Sequence, residues 1–556
     1  MQYTLALFLE RNTHIMTNNY SKHFSAKVTP QSQPIPGSNQ VQNNAGGYSY
    51  QIGCFGQLHR FLILGCEGGS YYASEQKMTL DNATAVLECI KTDGKSTVDT
   101  IVEISVSGRA PKNDPAIFAL ALCASFGDSF TRKYALDNMS KVCRIGTHLF
   151  QFAAACDGLR GWGSGLRKAF GRWYTDKSPK DIAYDVTKYV QREGWSHRDI
   201  LRLSHPRTNI AETRAIFQYI VSKGQECPEY SGTEPTTGLE YLAAVNEVKF
   251  YGEQGDVENV CNLIETYGLP REVIPTNMLN EPAVWESLLE NMPIHALIRN
   301  LAKMTNVGLI VPMSNATQLV CGRLRDTNAL KAKRVHPIQL LSAMMTYSRG
   351  KGVRGSLSWN PVPVVTGALE DGFYASFGYI EPSNKRTLLA LDVSASMTWG
   401  EIAGIPGLDP RTASAAMAMV SARVEPVHHI LGFSDTLVPL GINARDSLSN
   451  TINKIESVRM GGTDCSAPMV WAQKENVNVD TFVVYTDSET WCGAIHPSQA
   501  LRAYREYSGI DAKLVVVGMV ATDISIADPK DRGMLDVVGF DVAAPQVISD
   551  FSAGLL

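Results

Sequence analysis

Residues 388–397 read LLALDVSASM, an apolar run that ends in three oxygen-bearing side chains at alternate positions, Asp392, Ser394 and Ser396. Similar runs recur downstream as HHILGFSD (428–435), TFVVYTDSE (481–489) and AKLVVVGMV (512–520), separated by helical stretches such as DPRTASAAMAMVSARV (409–424) and SQALRAYREY (498–507). A strand apolar on both faces is buried on both, and such strands alternating with helices build a parallel, doubly wound sheet. Asp409 followed by Pro410 reads as a helix start, an N-cap with proline at the first helical position.

In doubly wound sheets the ligand site lies beyond the carboxyl ends of the strands, where the topology changes direction. Asp392, Ser394 and Ser396 are expected at one such end, Thr463 in GGTDCS (461–466) and Asp487 in VVYTDSE (483–489) at two others. The five offer hydroxyls and carboxylates, with no imidazole and no thiolate. Hard oxygens with few charges suit a small hard divalent cation such as Mg2+. The competing reading is that these side chains only cap helices and turns.

Upstream the grammar is different. From about Asp114 to Leu369 apolar residues recur at helical spacing in short segments, among them PAIFALALCASF (115–126), GTHLFQFAAAC (146–156) and NMPIHALIRNLAKM (291–304). Many short amphipathic helices in succession predict HEAT-like stacked pairs, each burying its face against its neighbours, with a compact helical domain as the alternative. Residues 17–47 are rich in Asn, Ser, Gln, Gly and Pro, so residues 1–47 are expected to be a disordered tail.

At 556 residues the chain exceeds a single core, and its charge is unevenly spread. Residues 384–556 carry 13 Lys and Arg against 20 Asp and Glu, leaving 38 against 35 for the rest, so any attraction for a polyanion belongs to the helical part. The eleven cysteines are scattered and never spaced as CxxC, which argues against a disulfide framework or zinc site and for a reducing compartment. YTLALFL (3–9) lacks a basic leader, and no apolar run reaches the roughly 18 residues of a membrane span, so a cytoplasmic setting, open to the nucleus, and no membrane partner are expected.

The order DxSxS, then Thr, then Asp resembles the metal-ion-dependent adhesion site of von Willebrand factor A domains. That resemblance implies that Ser394, Ser396 and Thr463 touch the cation through hydroxyls while Asp392 and Asp487 hold its waters. One coordination position is then left for an acidic group of a partner. A broader likeness runs through HRFLILGCEGGSYY (59–72), VCRIGTHLF (142–150), GWGSGLRKAF (161–170), VTKYVQREGWSHRDILRLSH (186–205), GGTDCSAPMVWAQK (461–474) and IADPKDRGMLD (526–536). Together these resemble the Ro ribonucleoprotein family, whose amino-terminal part is the TROVE module. The resemblance implies a TROVE helical-repeat domain over 48–379 forming a ring, and an A domain over 380–556 that closes it by bridging the two ends. It also implies binding of Y-type small noncoding RNA on the outer rim, and of the 3′ ends of misfolded small noncoding RNAs in the central hole, in RNA stabilisation and quality control.

Between Asp157 and Arg207 stand eleven Lys and Arg against six Asp and Glu, a locally basic stretch where phosphate attraction acts. Lys188 and Arg192, read as one helical turn apart on YDVTKYVQRE (184–193), are expected on one face, with His205 following a second short helix. By the family resemblance these three carry the Y RNA contacts. Read alone, the pair is a solvated face on which Asp185 balances Lys188, and Val190 stands where the family commonly has another basic residue. A second basic cluster comprises Lys331, Lys333, Arg334, Arg349, Lys351 and Arg354. Two other functions compete with RNA binding. One is a protein-interaction scaffold acting through the metal. The other is a phosphoryl-transfer enzyme, disfavoured because no GxxxxGK[ST], no HExxH and no carboxylate two residues from Asp392 is present.

Overall fold

The computed structural model describes residues 28–222, 230, 236–353 and 355–556. The chain forms two compact units. An α/β unit gathers Ile380–Leu556 with most of the described residues up to Thr79, and a helical unit spans Leu80–Tyr379 together with Phe61–Ile63.

Six strands make the sheet of the α/β unit: β1 (Thr387–Asp392), β2 (His428–Phe433), β3 (Leu437–Val438), β4 (Thr481–Thr486), β5 (Lys513–Gly518) and β6 (Met534–Val538). Their order is β6-β5-β4-β1-β2-β3, parallel throughout except for β3, which pairs antiparallel with β2. Every residue of β1 and β4 is buried, as their unbroken apolar runs require. Leu388, Ala390, Phe482, Val484, Leu514 and Val516 form one core with Met469, Leu501 and Tyr504. The helix Pro410–Val424 starts as read: Asp409 accepts from the Thr412 N–H at 2.7 Å, and residues 410–422 are all buried. Because the chain leaves β1 for β2 on one side and returns to β4 on the other, the switch point falls between the carboxyl ends of β1 and β4.

The expected tail is ordered from residue 28 onward; residues 1–27 lie outside the described residues. Gln40–Gln42 pairs antiparallel with Tyr48–Gln51, which pairs in turn with Ile524–Ser525. Gln31 is fully buried. Its side-chain amide donates to Asp464 Oδ1 (2.7 Å) and the Ile495 carbonyl (2.9 Å), and accepts from the Thr490 hydroxyl (2.5 Å) and the Gly493 N–H (3.1 Å). A polar composition shows that a segment cannot bury itself; here its amides are satisfied by another part of the chain. Residues 48–60 and 64–79 belong to the same compact unit.

The helical unit is a succession of short helices, with Pro282–Asn291, Ile294–Asn306, Asn315–Arg325, Pro337–Ser348 and Pro363–Ala375 typical in length. Its two ends are bonded to each other directly. Arg334 Nε donates to the Val106 carbonyl at 2.5 Å, His336 Nε2 lies 3.0 Å from the Arg109 carbonyl, and Gln339 Nε2 donates to the Pro111 carbonyl at 3.1 Å. All ten described cysteines are free; Cys227 lies outside the described residues. No helix among the described residues is long and apolar enough to cross a membrane.

Candidate functional site

The loop after β1 turns back on its own carboxylate. Ser394 N–H donates to Asp392 Oδ1 at 2.9 Å, and the Ser394 and Ser396 hydroxyl oxygens stand 3.1 Å apart. Across the switch point, the Thr486 hydroxyl at the end of β4 donates to Asp392 Oδ2 at 2.7 Å, and Asp487 follows it. Asp487 Oδ1 accepts from the Glu489 N–H at 3.0 Å. Thr463 arrives from a third loop, its carbonyl accepting from the Trp491 N–H at 3.1 Å, while the Cys465 N–H two residues on donates to the Thr490 hydroxyl at 3.1 Å. All five expected residues are buried, and the three loops that carry them are joined.

Burial pushes the Asp392 carboxyl up to about 7, with the facing Asp487 charge as second cause; burial raises Asp487 as well. Two buried carboxylates beside three hydroxyls, with no cationic side chain among the described residues bonded to either carboxylate, form a donor set that fits a hard divalent cation. Among the described residues no group of three His, Cys, Asp or Glu is placed to hold a metal ion. Two participants were not singled out from the sequence. Thr486 sits inside the quoted VVYTDSE but was passed over in favour of Asp487. Glu489, raised to about 7 by burial and by Asp487, accepts from Asn44 Nδ2 (2.6 Å) and the Ala45 N–H (3.1 Å).

The basic patch is arranged differently from its reading. The helix Pro179–Lys188 ends at Lys188, and Arg192 lies on a two-residue strand, Gln191–Arg192, paired with Trp195–Ser196. Between them Glu193 and Gly194 have φ of 51° and 76°, the left-handed pair of a tight hairpin turn. Lys188 and Arg192 therefore do not share a helical face. His205 caps the helix His197–Ser204 in the left-handed region (φ 46°, ψ 54°) with its side chain exposed. The three residues sit on three different elements, and no bond joins any two of them.

Asp185 takes another partner than Lys188, although the Lys188 charge still acts on it. That carboxylate pairs with Lys177, whose ammonium also lies 3.2 Å over the Trp173 ring. Burial raises Asp185 and lowers Lys177 despite their pairing. Lys188 Nζ instead donates to the Tyr184 hydroxyl at 2.6 Å, 4.8 Å over the Tyr184 ring and 5.5 Å over that of Tyr189. Its charge is held by neutral groups. Arg192 pairs with the adjacent Glu193 at 3.0 Å, both about half exposed, and Val190 is 65% exposed on the hairpin. Of the second cluster, Lys331 lies in the last turn of the helix Thr327–Ala332, Lys333 and Arg334 follow it, and Arg354 lies outside the described residues.

Comparison with known proteins places both units. Residues 41–346 match the TROVE domain model and residues 386–552 the Ro60 vWA domain model. The chain is 42% identical over 518 residues to "RNA-binding protein RO60" of Deinococcus radiodurans, covering 93% of this chain and 96% of the relative. It is 37% identical over 588 residues to "RNA-binding protein RO60" of Caenorhabditis elegans, covering 93% and 90%. The crystal structure of the Deinococcus radiodurans RO (RSR) protein superposes with a TM-score of 0.67 at 41% identity, covering 90% of this chain and all of that one.

Proposed function

Because the chain belongs to the Ro60 family, with its TROVE domain and Ro60 vWA domain, we propose that it is a non-catalytic RNA-binding protein, the core of a small ribonucleoprotein. In this reading Lys188, Arg192 and His205 contact Y-type small noncoding RNA, and the helical unit takes the 3′ ends of misfolded noncoding RNAs, serving RNA stabilisation and quality control in cytoplasm and nucleus. The observation that carries it is the engagement of Asp185 by Lys177, which leaves Lys188 with its charge available to a phosphate. The hairpin does not remove Arg192 from the patch; it presents that side chain from a short turn.

Phosphate contacts supply affinity and positioning, with little sequence information, so binding weakens steeply with salt. The test is the affinity for a structured small RNA with a single-stranded 3′ tail at two salt concentrations, in wild type and in Lys188→Ala/Arg192→Ala. Loss of binding with a shallower salt dependence supports the assignment. Unchanged binding removes these residues from it.

Asp392, Ser394, Ser396, Thr463 and Asp487 would hold a divalent cation of the Mg2+ kind, which when bound supplies an open coordination position to an acidic group of a protein partner. A second reading makes this docking the main activity. It is favoured by two indoles beside the site: Trp399 and Trp491 are 58% and 42% exposed, and their backbone N–H groups donate to the carbonyls of Ser396 and Thr463. It requires partner capture to vanish with chelator and in Ser394→Ala while RNA affinity survives.

A further inference from the structure

The seam where the two ends of the helical unit meet is built largely of cations. Its three segments, 103–114, 141–144 and 331–336, contain seven Lys and Arg and two carboxylates. Glu103 is engaged by Arg109 at 2.8 Å, and Asp114 accepts from Gln151 Nε2 at 2.6 Å. Two guanidiniums converge here from different segments. Arg144 Nη1 donates to the Ser105 hydroxyl (2.9 Å) and the Lys141 carbonyl (2.8 Å), and Arg334 Nε donates to the carbonyl of the next residue, Val106. Among the described residues neither arginine has a carboxylate partner. Burial and then the Arg334 charge make Arg144 easier to deprotonate than an ordinary arginine.

Arg334 also occupies an unfavourable backbone. It follows the helix Thr327–Ala332 with φ of 56°, at the left-handed position where helices usually end in Gly or Asn. The Val335 N–H returns to the Leu330 carbonyl, so the turn is a helix-ending motif carrying the wrong residue for its geometry. Its side chain lies against Gly108, itself at φ 76°, where an added Cβ would come within 2.8 Å of it. Strain at one residue, a glycine that makes room for it, and like charge left unneutralised all direct a guanidinium to one place.

We infer that Arg144 and Arg334 form a phosphate-binding site across this seam, separate from the Lys188 patch, and that a bound phosphate fastens the two ends of the helical unit together. Arginine presents several N–H donors in a planar fork, so donors remain on both side chains beyond those already used. The group is a phosphodiester of RNA, in which case the inference rests on the RNA-binding reading, or it is a free phosphate.

The test is hydrogen exchange of residues 105–112 and 333–339 in the full chain, alone, with an unstructured single-stranded oligoribonucleotide, and with inorganic phosphate. The oligoribonucleotide is expected to slow exchange of both segments several-fold in wild type and in Lys188→Ala/Arg192→Ala. That slowing should be lost in Arg334→Gly and Arg144→Gln. Glycine suits the left-handed position, so Arg334→Gly is expected to fold, which its melting temperature checks. Protection by inorganic phosphate alone identifies a free-anion site and leaves the seam assignment standing even if the protein binds no RNA. Absence of protection of both segments by RNA and by phosphate alike overturns the seam site, and RNA binding in that case spares the proposed function. Full protection in Arg334→Gly overturns it as well.

Discussion

Asp185 gives its carboxylate to Lys177, eight residues earlier in the chain, and not to Lys188, three residues later on the same helix. The two lysines flanking this acid therefore have separate partners, a carboxylate for Lys177 and a phenol for Lys188. Lys177→Met, which leaves Asp185 buried without its partner, should cost roughly 3 kcal/mol in urea unfolding. Lys188→Ala should leave unfolding nearly unchanged and lower RNA affinity. A Lys188→Ala variant that is as unstable as Lys177→Met would show that Lys188 is structural too.

The helical unit should lose stability in acid through its buried histidines. Burial depresses His197 to about 3 and His148 to about 4. The folded state keeps both neutral, whereas the unfolded chain takes up protons below about 6.5, so stability is present above that pH and lost as pH falls toward the folded values. The slope approaches about 1.4 kcal/mol per pH unit for each fully participating group. Carboxylates raised in the α/β unit act in the opposite direction, so the informative quantity is a difference. Wild type and His197→Gln, unfolded by urea at pH 7.5, 5.5 and 4.5, should converge in stability as pH falls. A constant gap would mean that His197 is not held neutral.

Adding Mg2+ should raise the melting temperature of wild type, and chelator should reverse the gain, because a ligand that binds only the folded state at 100 times its Kd adds about 2.7 kcal/mol. Asp392→Asn should separate two effects. Removing one of two facing buried carboxylates stabilises the metal-free protein, while the response to Mg2+ is lost. A Mg2+ response that persists in both Asp392→Asn and Ser394→Ala would place the ion elsewhere.

Gln31→Leu keeps the volume and removes the amide that serves Asp464, Thr490, Gly493 and Ile495. Several buried polar groups then lose a partner together, and roughly 2–4 kcal/mol of stability should go with them. Hydrogen exchange should report this first in residues 488–496. A neutral substitution would mean that water replaces the amide without cost.

The parts of this molecule legible in the sequence are those whose cause is local. The buried strands, the Asp409–Pro410 helix start and the alternating oxygens after Leu391 each announce themselves within ten residues. The hairpin after Lys188 was missed because the i, i+4 spacing of Lys188 and Arg192 was read as helical, although Glu193–Gly194 supplies a turn. Asp185 was read against Lys188 because that neighbour is near in sequence, whereas Lys177 becomes its partner only once the helix Pro179–Lys188 has turned back. The ordering of residues 28–47 is only partly local: Gln40–Gln42 pairs with Tyr48–Gln51, whereas the side-chain partners of Gln31 stand more than 400 positions away.

That distance has a consequence for how the molecule is made. At translation rates of about 5–20 residues per second, the 462 positions from Gln31 to Gly493 separate the two by roughly 25–90 seconds of synthesis. The helical unit is made and leaves the ribosome within that interval, while residue 31 waits for an acceptor not yet translated. A chain interrupted between residues 346 and 464 would carry a complete TROVE region and a Gln31 without its partners, so that this arm's exposure distinguishes an unfinished molecule from a finished one.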